Sequence, residues 1–432
     1  MTFAFLGRPG GIVRRGAAAL IVLGALGMVG ARPASAQGTS TDQAIVLAQR
    51  TIQRRPQNAA GYFRLGDAYI QKSRQTGDLS YLGLAEAALR KALELAPGNA
   101  GATRHLAYVF ASRHEFREAA AQARRAIELD PRDSHAQGVL GDALLELGEY
   151  DEAARAFDTM MALDRSLYSL ARRSGLTSVR GDPDGAVAEL RAAIEAGQSA
   201  GEPRESVAWA QWQLGAEQFA VGRLALAEAQ YLEALKTLPN YYRALAGLAQ
   251  VRAAQQRYED AIELYRKALA VIPLPEYAAA LGDLYTKLGR PEEARKQYAL
   301  VEYIGRLNAL NQVVFNRELA SFYADHDIKL DEALRLARAE LEVRRDVYGH
   351  DVLAWTLYKT GRAEEALAPM AEALRFGTRD ARLYFHAGMI HRSLGHADTA
   401  REFLSRALAI NPHFHLLHAA LAERALEELR TP

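Results

Sequence analysis

The 432-residue chain has no cysteine. That excludes disulfides, thiolate metal sites and a cysteine nucleophile. It also excludes lipid attachment at a processed N-terminus, which needs a cysteine there. An excess of either charge is missing too, with 53 Lys and Arg against 52 Asp and Glu. Nucleic-acid binding rests on neutralising phosphates with Lys and Arg, and this balance gives it no support. No glycine-rich phosphate loop, G-x-S-x-G or H-E-x-x-H is present. His114-Glu115 is followed by Phe-Arg-Glu, so the second zinc-binding histidine is absent. Asp182-Pro183-Asp184-Gly185 begins like a calcium loop but lacks the later ligands and closing glutamate. An Asp N-cap followed by proline at the first helical position explains it better. Long apolar runs are also scarce. The one at Ala17 to Val29 has about 13 residues, whereas a bilayer-spanning helix needs ~20.

That run has a recognisable setting. Arg8, Arg14 and Arg15 precede it, and the small-residue site Ala34-Ser35-Ala36 follows. Basic leader, short apolar core and A-x-A site form the layout of a secretory signal peptide. Residues 1–36 are therefore expected to be removed by cleavage after Ala36, leaving a periplasmic or secreted chain with no stable membrane anchor. Arg14-Arg15 is followed by Gly16-Ala17-Ala18, which points to the general secretory route rather than the twin-arginine one. Removal leaves 49 basic against 52 acidic residues, a net charge of −3. A chain without cysteine also suits an oxidising compartment, where it cannot be mispaired.

What the chain has in abundance is self-similarity. Ala100 to Pro131 reads as two short amphipathic helices with a turn at Ser112 to Glu115, too small to bury an apolar face alone. Pro97, Pro131, Pro239, Pro273 and Pro412 each close an Ala/Leu-rich helix. Alanine stands twelve residues before each of them, at Ala85, Ala119, Ala227, Ala261 and Ala400. It stands again five residues before, at Ala92, Ala126, Ala234, Ala268 and Ala407. Leading helices carry Leu-Gly or a variant, as at Leu65-Gly66, Leu140-Gly141, Leu214-Gly215 and Leu281-Gly282. Small residues at fixed places let two backbones approach, and the larger neighbours fill the space beside them. Proline ends the second helix because it lacks an N–H and clashes with the preceding turn.

These motifs resemble the tetratricopeptide repeat, W-x2-L-G-x2-Y, then A-x3-F, then P. Tyr62-x2-Leu65-Gly66-x2-Tyr69 matches the first half. Ala153-x3-Phe157 and Ala227-x3-Tyr231 match the second. Units are expected to begin near 58, 100, 134, 167, 208, 242, 275, 313, 347 and 381. The resemblance implies an all-α fold, a right-handed α-solenoid superhelix of about ten helix pairs. Residues 42–55 would be a half-unit at one end, and His415 to Leu429 a closing helix at the other.

Three stretches depart from the pattern. Seven extra residues follow Tyr69, with Thr76-Gly77-Asp78 reading as a loop. The fourth unit, 167–200, has a poorly ordered first helix, LARRSGLTSVRG. Gly197 to Pro203 after it reads as the most flexible joint. Four residues are added around Val301 to Val313 with no proline, which allows one long helix to bridge two units. The joint divides the chain into a signal peptide at 1–36, N-terminal repeats at 37–200 and C-terminal repeats at 201–432.

The resemblance further implies a non-catalytic interaction scaffold that takes a protein or peptide partner in its concave groove. In such repeats the second, fifth, ninth, twelfth and thirteenth residues of each first helix face that groove. This register places Trp209, Trp212 and Phe219 there. In later units it places Tyr348, Asp351, Trp355, Tyr358 and Lys359, then Arg382, Phe385, Met389 and Arg392. Aromatics and arginine are the residues that binding surfaces favour. Core packing against the fourth unit is the alternative for Trp209 and Trp212. Two other functions stand beside the scaffold. One is an export or surface-assembly factor binding polysaccharide. The other is an enzyme site assembled from Asp283, Asp325 and Asp351, which nothing in the sequence pairs with a nucleophile. His413, His415 and His418 could form an imidazole metal site. No carboxylate stands at matching spacing, so a polar closing helix is the preferred reading, with no cofactor or metal expected.

Overall fold

The computed structural model describes residues 41–429 other than 77 and 311–315, and for 308–310 and 316 the helical backbone only. The expected leader and its cleavage site lie outside the described residues. Among the described residues there are helices and no strands. Helix α1 (Thr41–Arg54) is the expected half-unit. Ten helix pairs follow in order: α2 (Ala59–Thr76) with α3 (Ser80–Leu95), α4 (Ala100–Ser112) with α5 (Phe116–Leu129), and α6 (Ser134–Glu146) with α7 (Tyr150–Leu163). Then come α8 (Leu167–Val179) with α9 (Pro183–Ala200), α10 (Arg204–Ala220) with α11 (Leu224–Thr237), and α12 (Tyr242–Ala254) with α13 (Tyr258–Val271). The last four are α14 (Pro275–Lys287) with α15 (Pro291–Leu310), α16 (Asn316–Asp325) with α17 (Leu330–Val343), α18 (Val347–Lys359) with α19 (Ala363–Leu374), and α20 (Ala381–Ser393) with α21 (Ala397–Ile410). Helix α22 (His418–Glu428) closes the array.

The small-residue register is the packing code. All ten alanines at the two repeated positions are fully buried. In the Leu-Gly pairs the glycine faces the large residue four places after an alanine of the following helix, Ala85, Ala153, Ala227 or Ala294. A Cβ on Gly66 would fall 2.7 Å from Leu89, on Gly141 2.3 Å from Phe157, on Gly215 2.6 Å from Tyr231, and on Gly282 2.3 Å from Tyr298. A methyl group cannot fit in any of these gaps, so the two helices of a unit touch there through glycine. Asp182 is the N-cap of α9, its Oδ1 accepting from the Gly185 amide at 2.9 Å with Pro183 behind it.

The departures resolve differently from one another. The insertion after Tyr69 is absorbed by lengthening α2 to Thr76, which leaves only a short link before α3. In the fourth unit α8 is a regular helix that buries Leu167, Leu170, Ala171, Leu176 and Val179. It looked poor because it also buries Ser169 and Ser174, the latter satisfied by the Ala171 carbonyl at 2.7 Å. The expected joint is shorter than its sequence suggests. Helix α9 runs through Gly197, which packs on Leu167, and only Gly201 to Pro203 turn the chain. The expected boundary at 200/201 coincides with the start of this turn, while helices α1 to α22 belong to one compact unit. Helix α15 extends to Leu310 and α16 begins at Asn316, and the residues between them, on which the expected bridging helix depends, are outside the described set.

The array coils back on itself in a regular way. The turn inside unit three meets the link after unit eight: the Arg345 amide donates to the Glu146 carbonyl at 3.0 Å, and the Val347 amide to the Tyr150 hydroxyl at 2.9 Å. The turn inside unit four meets the link after unit nine, where the Thr378 hydroxyl donates to the Val179 carbonyl. The turn inside unit five meets the end of unit ten, where Asn411 Nδ2 donates to the Phe219 carbonyl at 2.8 Å. Gly148, Gly181 and Gly222 occupy these three turns with φ of 77°, 84° and 76°. A Cβ on them would lie 2.4, 3.0 and 3.1 Å from backbone oxygens of the facing link. Glycine is needed here twice over, for the left-handed backbone and for the approach of the next coil.

Candidate functional site, the interior face of the coil

The leading helices turn their early residues inward, and at units five to seven this face is partly open. Trp209 and Trp212 of α10 are half-buried. Trp209 packs into the cores on both sides of it, with Leu167 and Leu170 of the fourth unit and with Tyr241, as the core-packing alternative expects. Trp212 instead carries a cation on its face: the Arg243 guanidinium lies 4.9 Å from the Trp212 ring and 5.2 Å from that of Tyr242. The Arg243 side chain makes no hydrogen bond or ion pair with any described residue. Desolvation works against its charge, but the nearby Tyr242, Tyr241 and Tyr277 hydroxyls and Glu276 outweigh it and raise its pKa. Glu276 lies close enough to feel that charge. Desolvation raises its own carboxyl to about 7 although the residue keeps an exposed side, and it forms no ion pair with Arg243. Arg243 is the second residue of α12, the position the register rule names. Applying that rule to the unit beginning at 242 would have found it.

Phe219 is half-buried further along α10 and lines a cavity of about 300 Å³ with Tyr258, Tyr265, Asp283, Lys287 and residues 412–416. Glu217 beside it accepts from the Ser178 hydroxyl at 2.9 Å. Burial pushes its carboxyl up to about 7, with Ser178 opposing and the Asp380 charge adding.

At units eight to ten the same face is closed. Trp355 is 3% exposed and Phe385 fully buried. The Trp355 indole N–H donates to Asp325 at 2.7 Å, and its ring stacks on His386 at 4.1 Å and Tyr358 at 5.0 Å. Both Trp355 and Phe385 belong to one core with Ala422, Ala425 and Leu426 of α22. Lys359 lies 5.3 Å above the Trp355 ring and pairs with Asp327 at 2.6 Å. Met389 and Tyr358 are half-buried against the same core. Tyr348 packs against two cores, and burial drives its phenol pKa upward. Arg382 is exposed but bonded to Asp380 at 2.9 Å. Arg392 pairs with Glu428 of α22. Asp351 is buried beneath His386, whose Nδ1 is 2.8 Å away. The twelve expected residues therefore form no single surface. Trp209, Trp212 and Phe219 stand by the open part of the coil, and the other nine surround a core that α22 completes.

The aspartates of the suspected enzyme site are occupied with one another's neighbours. Asp283 accepts from the Tyr298 hydroxyl at 2.9 Å and pairs with His326 at 2.7 Å. The other His326 nitrogen is 2.7 Å from the Phe322 carbonyl. Two acceptors require both ring nitrogens to be protonated. Burial opposes this, but Asp283 and that carbonyl raise the His326 pKa. Asp325 is tied to Trp355 and Asp351 to His386, so as folded these carboxylates join successive units.

Asp325 supplies the carboxylate that the sequence did not offer the closing histidines. With His415 and His418 it brings three potential ligand atoms within 4.8 Å of one another. The hydrogen bonding assigns His415 another task. Its Nδ1 accepts from the Leu417 and His418 amides at 3.2 and 3.3 Å, so the neutral ring carries its proton on Nε2. A metal on Nε2 would require that proton on Nδ1, facing two N–H groups. His415 is thus built as the cap of α22.

Comparison with known proteins follows this architecture. Tetratricopeptide-repeat profiles match residues 106–166 and 213–279, and a second such profile matches 275–304 and 381–414. No curated protein matches the chain. Among solved structures, the human IFIT1 dimer with m7Gppp-AAAA is similar with a TM-score of 0.50 and 16% identity, over 78% of this chain and 77% of that one. Yeast Tom70 covers 90% of this chain and 93% of its own at 13% identity, with a TM-score of 0.37. PilW, a type IV pilus biogenesis factor, covers 47% and 92% at 20% identity, with a TM-score of 0.40. At these identities the likeness concerns the fold alone. The molecule is an all-α repeat solenoid of the class that generally serves as a non-catalytic scaffold for protein interaction. It is a tetratricopeptide-repeat protein.

Proposed function

We propose that this protein is a non-catalytic scaffold of a bacterial cell envelope. It holds an extended or helical protein segment against the interior face of units five to seven. The observation that carries the reading is Arg243. A guanidinium held between Trp212 and Tyr242, with no acceptor of its own, is a donor set prepared for a carboxylate. The surrounding rings offer apolar contact on either side, which suits a segment with apolar anchors flanking an acidic residue. The site expected in the C-terminal units is covered by the chain itself, which favours this face. A library of displayed peptides selected on the full chain tests the proposal. Recovered binders are expected to share one fixed Asp or Glu. Arg243→Gln should weaken them about 10–100-fold, the range of a hydrogen bond to a charged group. Binders that keep full affinity for the variant would move the site elsewhere, and an absence of binders would count against a peptide scaffold.

The envelope location rests on the leader layout and on the lack of cysteine. N-terminal sequencing of protein recovered from the soluble envelope fraction should begin at Gln37. Recovery of an intact Met1 from that fraction would overturn the cleavage.

A further inference from the structure

The segment that follows unit ten enters the middle of the coil. Asn411 reaches α10, residues 412–416 line the cavity shared with α12 and α14, and His418 meets α18 and α20. His418 is 4% exposed and lies 5.0 Å from the Phe385 ring at 24°, and 5.9 Å from Trp355 edge-on. His415 stacks on it at 4.1 Å and 21°. The hold of this segment depends on both imidazoles being uncharged. The His415 cap exists only while Nδ1 has a free lone pair. Two stacked rings at this distance repel each other when both are charged.

We infer that residues 411–418 are a proton-operated latch: acid charges His415 and His418, breaks the α22 cap and expels the segment from the coil, uncovering Trp355 and Phe385.

The surroundings decide the direction. Asp283 of α14 lies 3.8 Å from His415, and Asp325 of α16 lies 3.9 Å from His418; both carboxylates would favour a charged ring. Burial opposes them and is the largest effect on each histidine. For His415 the next influence is its stacked neighbour His418, then Asp283 and Asp325, which favour charge, and last Arg382 of α20, which opposes it. For His418 the next are His386 of α20, Lys359 of α18 and His326 of α16, all opposing charge. The balance holds His415 down at about 4 and His418 at about 3. A released histidine titrates near ~6.5. The docked state binds fewer protons, so its advantage is complete above ~6.5 and falls away as the pH drops toward the docked values. At pH 5 each histidine favours release by about 20-fold relative to pH 7, and the pair by about 500-fold. No partner is needed to see this, so the latch stands or falls separately from the proposed peptide site.

A chain without cysteine accepts one engineered spin-label pair. Arg424→Cys on exposed α22 and Lys296→Cys on exposed α15 serve, read by double electron–electron resonance on the full chain. One narrow distance is expected at pH 7.5, and a longer, broad distribution at pH 5 with helical circular dichroism retained. His415→Asn keeps a capping acceptor that does not titrate, and His418→Leu keeps an apolar filler. Together they should hold the short distance at both pH values. His415→Asn alone should shift the opening by about 20-fold, and this reading remains if the double variant does not fold. An unchanged distance in the parent at pH 5, or equal opening in a folded non-titrating variant, would overturn the latch.

Discussion

Trp355→Ala is expected to lower the unfolding free energy by about 3–5 kcal/mol, the range for deleting a buried large aromatic. The sequence pattern places Trp355 on a partner-binding face, where the same change would cost affinity and leave folding intact. The structure puts it under α22 with its indole N–H on Asp325. Removal opens a cavity against His386, Tyr358 and Phe385 and also deprives the Asp325 carboxylate of its donor. Trp355→Phe should cost less, because a ring still fills most of the space. Urea unfolding followed by circular dichroism separates the two accounts. A Trp355→Ala midpoint equal to that of the parent would return this residue to the partner surface.

The second large effect is expected at Arg344, which is 7% exposed between two coils. Its guanidinium lies 3.2 Å from Glu146 of unit three, 3.4 Å from Glu340 and 3.9 Å from Glu318, above the Phe116 ring at 5.3 Å. Arg317 holds the other side, 3.2 Å from Glu340. Arg344→Met should destabilise by about 3–5 kcal/mol, because it strands partly buried carboxylates rather than removing a balanced set. The pH dependence has a definite sign. Burial raises Glu146 to about 6 and also raises Glu340, with the arginines opposing in both cases. A carboxyl with a raised folded pKa favours the fold below its unfolded value of ~4.5, and that contribution is lost as pH rises through about 6. Losing Arg344 raises both further, so the variant should suffer more at pH 8 than at pH 5. Equal losses at both pH values would mean that these carboxylates do not depend on Arg344.

The pairing of helices was legible because backbone contact between two helices admits only glycine or alanine. That restriction leaves a fixed-period mark, seen in Ala227, Ala234 and Gly215. The fourth unit was misjudged because hydrophobicity alone stands in poorly for burial. Ser174 is buried with its hydroxyl satisfied by its own helix, which no apolar period reveals. Arg243 was readable from the register that named Trp212. The closing of the Trp355 site was not readable. It depends on residues some 60 positions downstream that arrive there only because the array winds round, and coil pitch has no short-range signature. The same is true of Asp325, whose meeting with His418 joins units that are far apart in the chain.

The three contacts between successive coils give the molecule the character of a spring wound shut. Tension along its axis does not act first on any one helix pair. It is shared by the Val347–Tyr150, Thr378–Val179 and Asn411–Phe219 bonds, which sit one unit apart, together with the Arg344 and Arg345 contacts to Glu146 beside the first of them. Small extensions therefore meet a stiff response set by these ties. Once they give way, the array lengthens softly by flexing between neighbouring units, each of which keeps its own glycine-and-alanine seam intact.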